Sequence, residues 1–123
     1  EVQRRIMLGT FVLSSGYYDA YFAKAQRARR FIRDKTVSFF TDYDVILSPT
    51  SPHTAFELGK EYHDPTVMYL EDIFTVQANI AGIPAISVPL GTHSNGLPTG
   101  IQIMANNFEE EKLFAFSHYL MNT

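Results

Sequence analysis

The apolar positions of the chain repeat with two different periods, and each period predicts a different kind of element. Helical spacing predicts four helices, over about 1–15, 18–40, 64–80 and 109–121. Short apolar runs predict three strands, at 44–49, 85–91 and 99–105. Gly16 is a suitable helix stop, Asp64 with Pro65 a suitable helix start, and Ser94-Asn95-Gly96 a tight turn between the last two strands.

The order of these elements, ααβαββα, predicts an α/β or α+β fold in a single domain, 1–123. The all-apolar character of 44–49 predicts a strand that is covered on both faces. Three strands are few for an open sheet, so we expect them to belong to a larger sheet with further strands upstream. The chain opens at Glu1 within a helical pattern and without an initiator Met, which indicates a piece of a longer protein.

Composition narrows the classes of function. Hydrophobic residues make up 46% and charged residues 19%, which is typical of a folded chain, and the net charge of −3 disfavours direct binding to nucleic acid or anionic lipid. The absence of cysteine excludes a disulfide, a thiol nucleophile and a thiolate metal site, and the four histidines are too scattered to predict a metal site. No run approaches the about 18 apolar residues of a membrane span.

Several hydroxyl side chains stand where catalytic residues are often found. The tandem serines Ser14 and Ser15 precede a glycine, but they close a helix and have no base at an informative spacing, so we interpret them as non-catalytic. Thr50, Ser51 and Ser87 lie at strand ends, where sites in α/β folds often collect, although polar residues are ordinary there.

Two charged residues stand on otherwise apolar helix faces. Arg5 has Val2 and Gly9 beside it, which fits either a surface arginine near a helix end or a guanidinium that binds a carboxylate. Asp72 has no cationic neighbour at three or four residues, so it is exposed, pairs with a distant base, or binds a ligand cation. Glu71 carries the same ambiguity, and spacing alone does not separate the two acids.

The longest motifs resemble a known family. The runs that carry the resemblance are EVQRRIMLGTFVLSSGYYDAY at 1–21, DVILSPT at 44–50, DPTVMYLEDIFT at 64–75, and the later segments NIAGIPAISVP and GLPTGIQIM. Together they resemble the C-terminal part of the amidase signature family, over essentially the whole chain. The first and third runs are most similar to the A subunits of tRNA-dependent amidotransferases.

This resemblance implies an incomplete amidase-signature fold, with helices packed on a mixed β-sheet. It also implies a glutaminase whose ammonia is passed to a B subunit, in a cytoplasmic complex that includes a C subunit. That complex would use ATP and Mg²⁺ to convert Glu-tRNA(Gln) or Asp-tRNA(Asn) to Gln-tRNA or Asn-tRNA, and the sequence leaves the choice between the two open. The family's catalytic Ser, second Ser and Lys lie in a region that this chain lacks, so the chain alone is predicted to be inactive. The positions matching Arg5 and Asp72 imply ligands for the α-carboxylate and α-ammonium of glutamine, with Glu71 the more exposed acid.

Two local departures from the family pattern leave these ligands in place. The segment 76–79 lacks a proline found in many members, so the helix is expected to continue there, and His63 replaces an acid. Two further hypotheses are another amidase-signature hydrolase acting on a small amide, and a non-catalytic module that binds an amino acid or a protein. The last of these predicts a stable, monodisperse 123-residue chain, whereas a fragment should expose apolar surface and associate.

Overall fold

The computed structural model describes residues 2–14, 16–59 and 64–122. The predictions for Ser15 and His63 therefore lie outside the described residues. In the described part, five α-helices and three strands follow one another as α1 Val2–Val12, α2 Lys24–Phe39, β1 Val45–Pro49, α3 Pro65–Leu70, α4 Ile73–Ala81, β2 Ala85–Thr92, β3 Pro98–Ala105 and α5 Glu110–Met121. A π-helical segment, Tyr18–Ala23, leads into α2.

The strands form a sheet in the order β1-β3-β2, and both pairings are antiparallel. The mixed sheet was expected of an amidase-signature fold that is incomplete in this chain, so the mixed character of the larger sheet stays a prediction, and the three described strands are an antiparallel part of it. The three strands themselves are confirmed, as is the turn between β2 and β3, where the Gly96 amide donates to the His93 carbonyl over 2.9 Å.

The sheet separates two apolar clusters, because successive side chains of β3 point to opposite faces. Met104 packs on one face with residues of α2, α4 and the segments that follow them, namely Val37, Phe40, Ala78, Ala81 and Ile83. Ile103 packs on the other face with α5, whose contributors are Leu113, Phe116 and Leu120. The result is a three-layer α/β/α arrangement, so the predicted α/β class is confirmed.

The cover of β1 is less complete than its sequence predicts. Leu47 is 46% exposed, although 44–49 was expected to be covered on both faces. Helix α1 likewise contains no buried residue, and Ile6 on it is 64% exposed. The apolar pattern of these two elements therefore calls for surfaces that the described residues do not supply.

Two predicted helices differ from the observed ones. The helix expected from about 18 begins as the π-helical segment, where Tyr17 stacks on Tyr21 and the ring of Tyr18 contacts that of Phe22 at a tilt of 35°. The helix expected over 64–80 is divided into α3 and α4 by a break at residues 71–72. Residues 76–79 continue without interruption in α4, as expected, and the helix ends at Gly82 with φ of 72°.

The start of α3 is capped as the sequence predicts. Asp64 Oδ1 accepts hydrogen bonds from the Thr66 amide at 2.8 Å and from the Thr66 hydroxyl at 2.7 Å. Because these bonds favour the ionised carboxylate, they lower the pKa of Asp64 below its ordinary value. The cap matters for the site because α3 leads directly to the break that carries Asp72.

A buried amide connects the sheet to α4. Gln102 is 4% exposed at the centre of β3, and its Nε2 donates to the Phe74 carbonyl over 2.9 Å and to Ser48 Oγ over 3.1 Å. These bonds hold the first turn of α4 against the strand.

We expect Gln102→Leu to destabilise the protein. The Phe74 carbonyl would lose a donor in a largely apolar setting, which costs about 1–3 kcal/mol of unfolding free energy. The measurement is the urea midpoint of the full-length protein, compared with Gln26→Leu, the same change at an exposed position of α2. Equal midpoints for the two variants would show that the buried amide does not hold α4.

Candidate functional site

Arg5 and Asp72, 67 positions apart in the sequence, line the same cavity in the fold. The cavity has a volume of about 420 Å³, and its lining residues are Arg4, Arg5, Leu8, Tyr69, Asp72 and Val76. It lies between α1, which supplies the two arginines, and the α3–α4 break, which supplies the carboxylate. A small amino acid is of suitable size for a cavity of this volume.

Helical geometry explains why α1 contributes both arginines and an apolar wall. Leu8 is three residues after Arg5 and four after Arg4, so all three side chains lie on neighbouring positions of one helix surface. The α1 side of the cavity is therefore positively charged at one end and apolar at the other.

The break in the predicted helix places Asp72 at the beginning of α4. The Asp72 carbonyl accepts hydrogen bonds from the amides of Thr75 and Val76, at 3.1 and 3.0 Å, and so starts the helical ladder. Its side chain is exposed, and within 2–14, 16–59 and 64–122 no hydrogen bond or ion pair reaches the carboxylate. A carboxylate in this position can accept hydrogen bonds from a ligand cation.

Glu71 has the opposite environment, which corrects the expectation that it is the more exposed acid. Its side chain is 22% exposed, and its Oε1 lies 3.0 Å from Nδ1 of His53 in the loop after β1. The two adjacent acids therefore diverge at the break, with Glu71 paired to a base distant in sequence and Asp72 directed to the cavity.

The other sequence candidates lie outside this cavity. Ser14 follows the end of α1, and its hydroxyl donates to the Phe11 carbonyl over 2.6 Å. The hydroxyl groups of Thr50 and Ser87 are hydrogen-bonded to each other at 2.6 Å beside Gly100. A Cβ at Gly100 would lie only 3.0 Å from Thr50 Oγ1, so the pair packs directly on this glycine. Ser51 donates to the His53 carbonyl over 2.7 Å. These contacts stabilise loops and strand ends.

Sequence reasoning missed one residue that lines the cavity and one that contacts Glu71 beside it. Arg4 lines the cavity beside Arg5, and the signal that could have found it is the tandem Arg-Arg facing Leu8 one turn later. His53 was noted only as one of four scattered histidines, and no local pattern connects it with Glu71, because the contact spans 18 positions.

No metal centre is apparent in the described part of the chain, where no group of three or more His, Cys, Asp or Glu residues could hold a metal ion. Among the same residues, no helix is both long enough and apolar enough to cross a bilayer.

Comparison with known proteins identifies the family of this chain. The family model described as Amidase matches residues 1–114. The chain belongs to the amidase family. The resemblance inferred from its motifs is thereby confirmed.

Several named relatives are similar over nearly the whole chain. The A subunit of glutamyl-tRNA(Gln) amidotransferase from Brevibacillus brevis is 58% identical over 118 residues, which are 96% of this chain and 24% of that protein. The crystal structure of the A subunit of the same named enzyme from Thermotoga maritima is 55% identical, with a TM-score of 0.75 over 92% of this chain and 25% of that one. The chain therefore spans about a quarter of the length of these relatives.

A more distant solved structure shares the fold with a different named activity. The 6-aminohexanoate cyclic dimer hydrolase is 25% identical, with a TM-score of 0.62 over 76% of this chain and 22% of that one. The identity to the amidotransferase proteins is more than twice this value, so their names are the better guide to the function proposed below.

Proposed function

We propose that this chain is the C-terminal part of the A subunit of a glutamyl-tRNA(Gln) amidotransferase, and that Arg5 and Asp72 bind glutamine in it. The observation that carries this proposal is the shared cavity, in which α1 presents guanidinium groups and the α3–α4 break presents a carboxylate. The identity of 58% to a protein of that name supports the same assignment.

Opposite charges across one small cavity suit a free amino acid. The planar guanidinium of Arg5 can donate two parallel hydrogen bonds to an α-carboxylate, and the carboxylate of Asp72 can accept from an α-ammonium group. An amide that lacks the α-ammonium group would leave the Asp72 carboxylate without a ligand donor, and one that lacks the α-carboxylate would forgo the hydrogen bonds that Arg5 can donate. Such a site rejects the incomplete analogue far more strongly than an apolar pocket could.

The chain supplies binding and other segments supply the chemistry. In this proposal the nucleophilic Ser, the second Ser and the Lys lie upstream in the full-length protein, so the isolated chain is inactive. The ammonia released from glutamine passes to the B subunit, which uses ATP and Mg²⁺ to activate the mischarged tRNA, and the C subunit completes the complex. The proposed location is the cytoplasm, where the tRNA is charged.

The proposal is tested with the full-length protein, meaning this chain together with the rest of its reading frame, purified with its partner subunits. We expect amidation of Glu-tRNA(Gln) that requires ATP and is supported by either glutamine or ammonium chloride. Hydrolysis of simple amides with no amidation of tRNA would favour a hydrolase, as the named activity of the 6-aminohexanoate cyclic dimer hydrolase illustrates. Saturable glutamine binding without any hydrolysis would favour a non-catalytic module.

A further inference from the structure

We infer that His53 is a positioning residue for the α-ammonium group of glutamine and acts through Glu71, an inference that rests on the proposed function. His53 does not line the cavity that contains Arg5 and Asp72. It contacts Glu71, the residue directly before Asp72, with Nδ1 at 3.0 Å from Oε1. A contact at this place acts on the direction in which the chain enters α4.

Helix α3, which precedes Asp72, is short and buries little among its described side chains. Helix α3 has only six residues, and among its described side chains only Val67 is partly buried, while the others are exposed. Short helices with little burial are marginal in water. The Asp64 cap holds the first turn of α3 but does not reach residues 71–72. The half-buried Glu71 side chain is therefore the fixed point nearest to Asp72 on this side.

His53 can serve as a fixed point because its loop is attached to the sheet. The Thr50 amide donates to the Gly100 carbonyl over 3.1 Å, which continues the pairing of β1 with β3. Ser51 Oγ donates to the His53 carbonyl, and Asn95 Nδ2 in the β2–β3 turn donates to Thr54 Oγ1 over 2.9 Å. The sheet thus restrains the loop, His53 in the loop restrains Glu71, and Glu71 restrains the adjacent Asp72.

The pairing also selects which acid faces the ligand. With Glu71 turned to His53, Asp72 is the carboxylate that lines the cavity. Loss of His53 would leave a half-buried carboxylate without its base, which is unfavourable, so Glu71 would move toward water. A shift of about 1 Å in the neighbouring Asp72 side chain is enough to weaken its binding of the α-ammonium group substantially.

The test is steady-state glutaminase kinetics of His53→Ala in the full-length protein with its partner subunits. We expect KM for glutamine to rise about tenfold with kcat within about twofold, since a binding contact common to ground and transition states is weakened. KM for glutaramate, which has the amide and the carboxylate but no α-ammonium group, should not change. A structural defect would instead impair both substrates alike, and that result would overturn the inference.

Two further variants examine the route through Glu71. His53→Asn puts an amide nitrogen near the position of Nδ1 and should restore KM to within about twofold of wild type. Glu71→Ala should reproduce the His53→Ala defect, and the double variant should be no worse than either single one. Additive defects, or an Asn variant as impaired as Ala, would overturn the inference.

The control is His118→Ala, the same change at an exposed position of α5, where the hydrogen bonds of the ring among the described residues are to Asn122. It should behave as wild type.

If wild type itself does not prefer glutamine to glutaramate, the proposed function fails, and the inference with it. If wild type shows that preference and His53→Ala retains it, only the inference fails.

Discussion

Asp72→Asn in the full-length protein should lower kcat/KM for glutamine by about 10- to 100-fold, since a charged hydrogen bond is worth about 1.5–3 kcal/mol. The substitution keeps the size of the side chain and removes its charge, so the α-ammonium group loses its ion-pair partner in the cavity. The same variant should hydrolyse glutaramate about as well as wild type does, because that substrate has no ammonium group to bind. Release of ammonia from each substrate is the measurement.

Free ammonia provides the internal control for this variant. Amidation of Glu-tRNA(Gln) driven by ammonium chloride bypasses the glutamine site, so it should proceed at the wild-type rate in the Asp72→Asn complex. Loss of both activities would indicate a folding or assembly defect. Glutamine hydrolysis at the wild-type level would contradict the role proposed for Asp72.

The opposite environments of the two adjacent acids show where sequence reasoning reaches its limit. Both carboxylates follow the same apolar run, and helical spacing through residues 64–80 is unbroken, so the sequence predicts a single helix. The structure divides it at residues 71–72. At the division, Glu71 contacts a histidine 18 positions away, in a loop that is hydrogen-bonded to the β2–β3 turn, and neither contact leaves a periodic signal in the sequence.

Elements whose own residues determine their ends were predicted well. The capping hydrogen bonds of Asp64 and the left-handed conformation of Gly82 are local, so the start of α3 and the end of α4 were predicted from the sequence. Strand bounds were likewise within two residues, because alternating and continuous apolar runs report burial directly. By contrast, the direction of strand pairing depends on the path of the chain, and the sequence did not predict that the three described strands pair antiparallel.

The apolar surfaces of α1 and β1 have a different explanation. The sequence of β1 was interpreted as a strand covered on both faces, and α1 carries apolar residues, yet Leu47 is 46% and Ile6 64% exposed. The chain spans about a quarter of the length of its relatives, and the expectation of further strands stays a prediction. The apolar pattern of α1 and β1 thus calls for covering surfaces that the described residues do not supply.

The guanidinium geometry of Arg5 leads to the second large effect. Arg5→Ala should lower kcat/KM for glutamine by about 10- to 100-fold, through loss of charged hydrogen bonds to the α-carboxylate. Arg5→Lys should give an intermediate value, because an ammonium group keeps the charge but not the two parallel donors. The substrate that isolates this contact is 4-aminobutanamide, which has the amide and the ammonium group but no carboxylate. Its hydrolysis should be nearly the same in wild type and in both variants.

Comparing Arg4→Ala with Arg5→Ala tests which of the two arginines in the cavity binds the carboxylate. Both arginines line the cavity, so electrostatic attraction alone predicts similar losses for Arg4→Ala and Arg5→Ala. If the guanidinium of Arg5 alone donates two hydrogen bonds to the carboxylate, the loss of kcat/KM should be larger for Arg5→Ala than for Arg4→Ala. The smaller loss for Arg4→Ala would come from a screened charge, so it should decrease as salt is raised. Measuring kcat/KM for both variants at low and high ionic strength separates these cases. A larger, salt-independent loss at Arg4 would transfer the carboxylate-binding role to that residue.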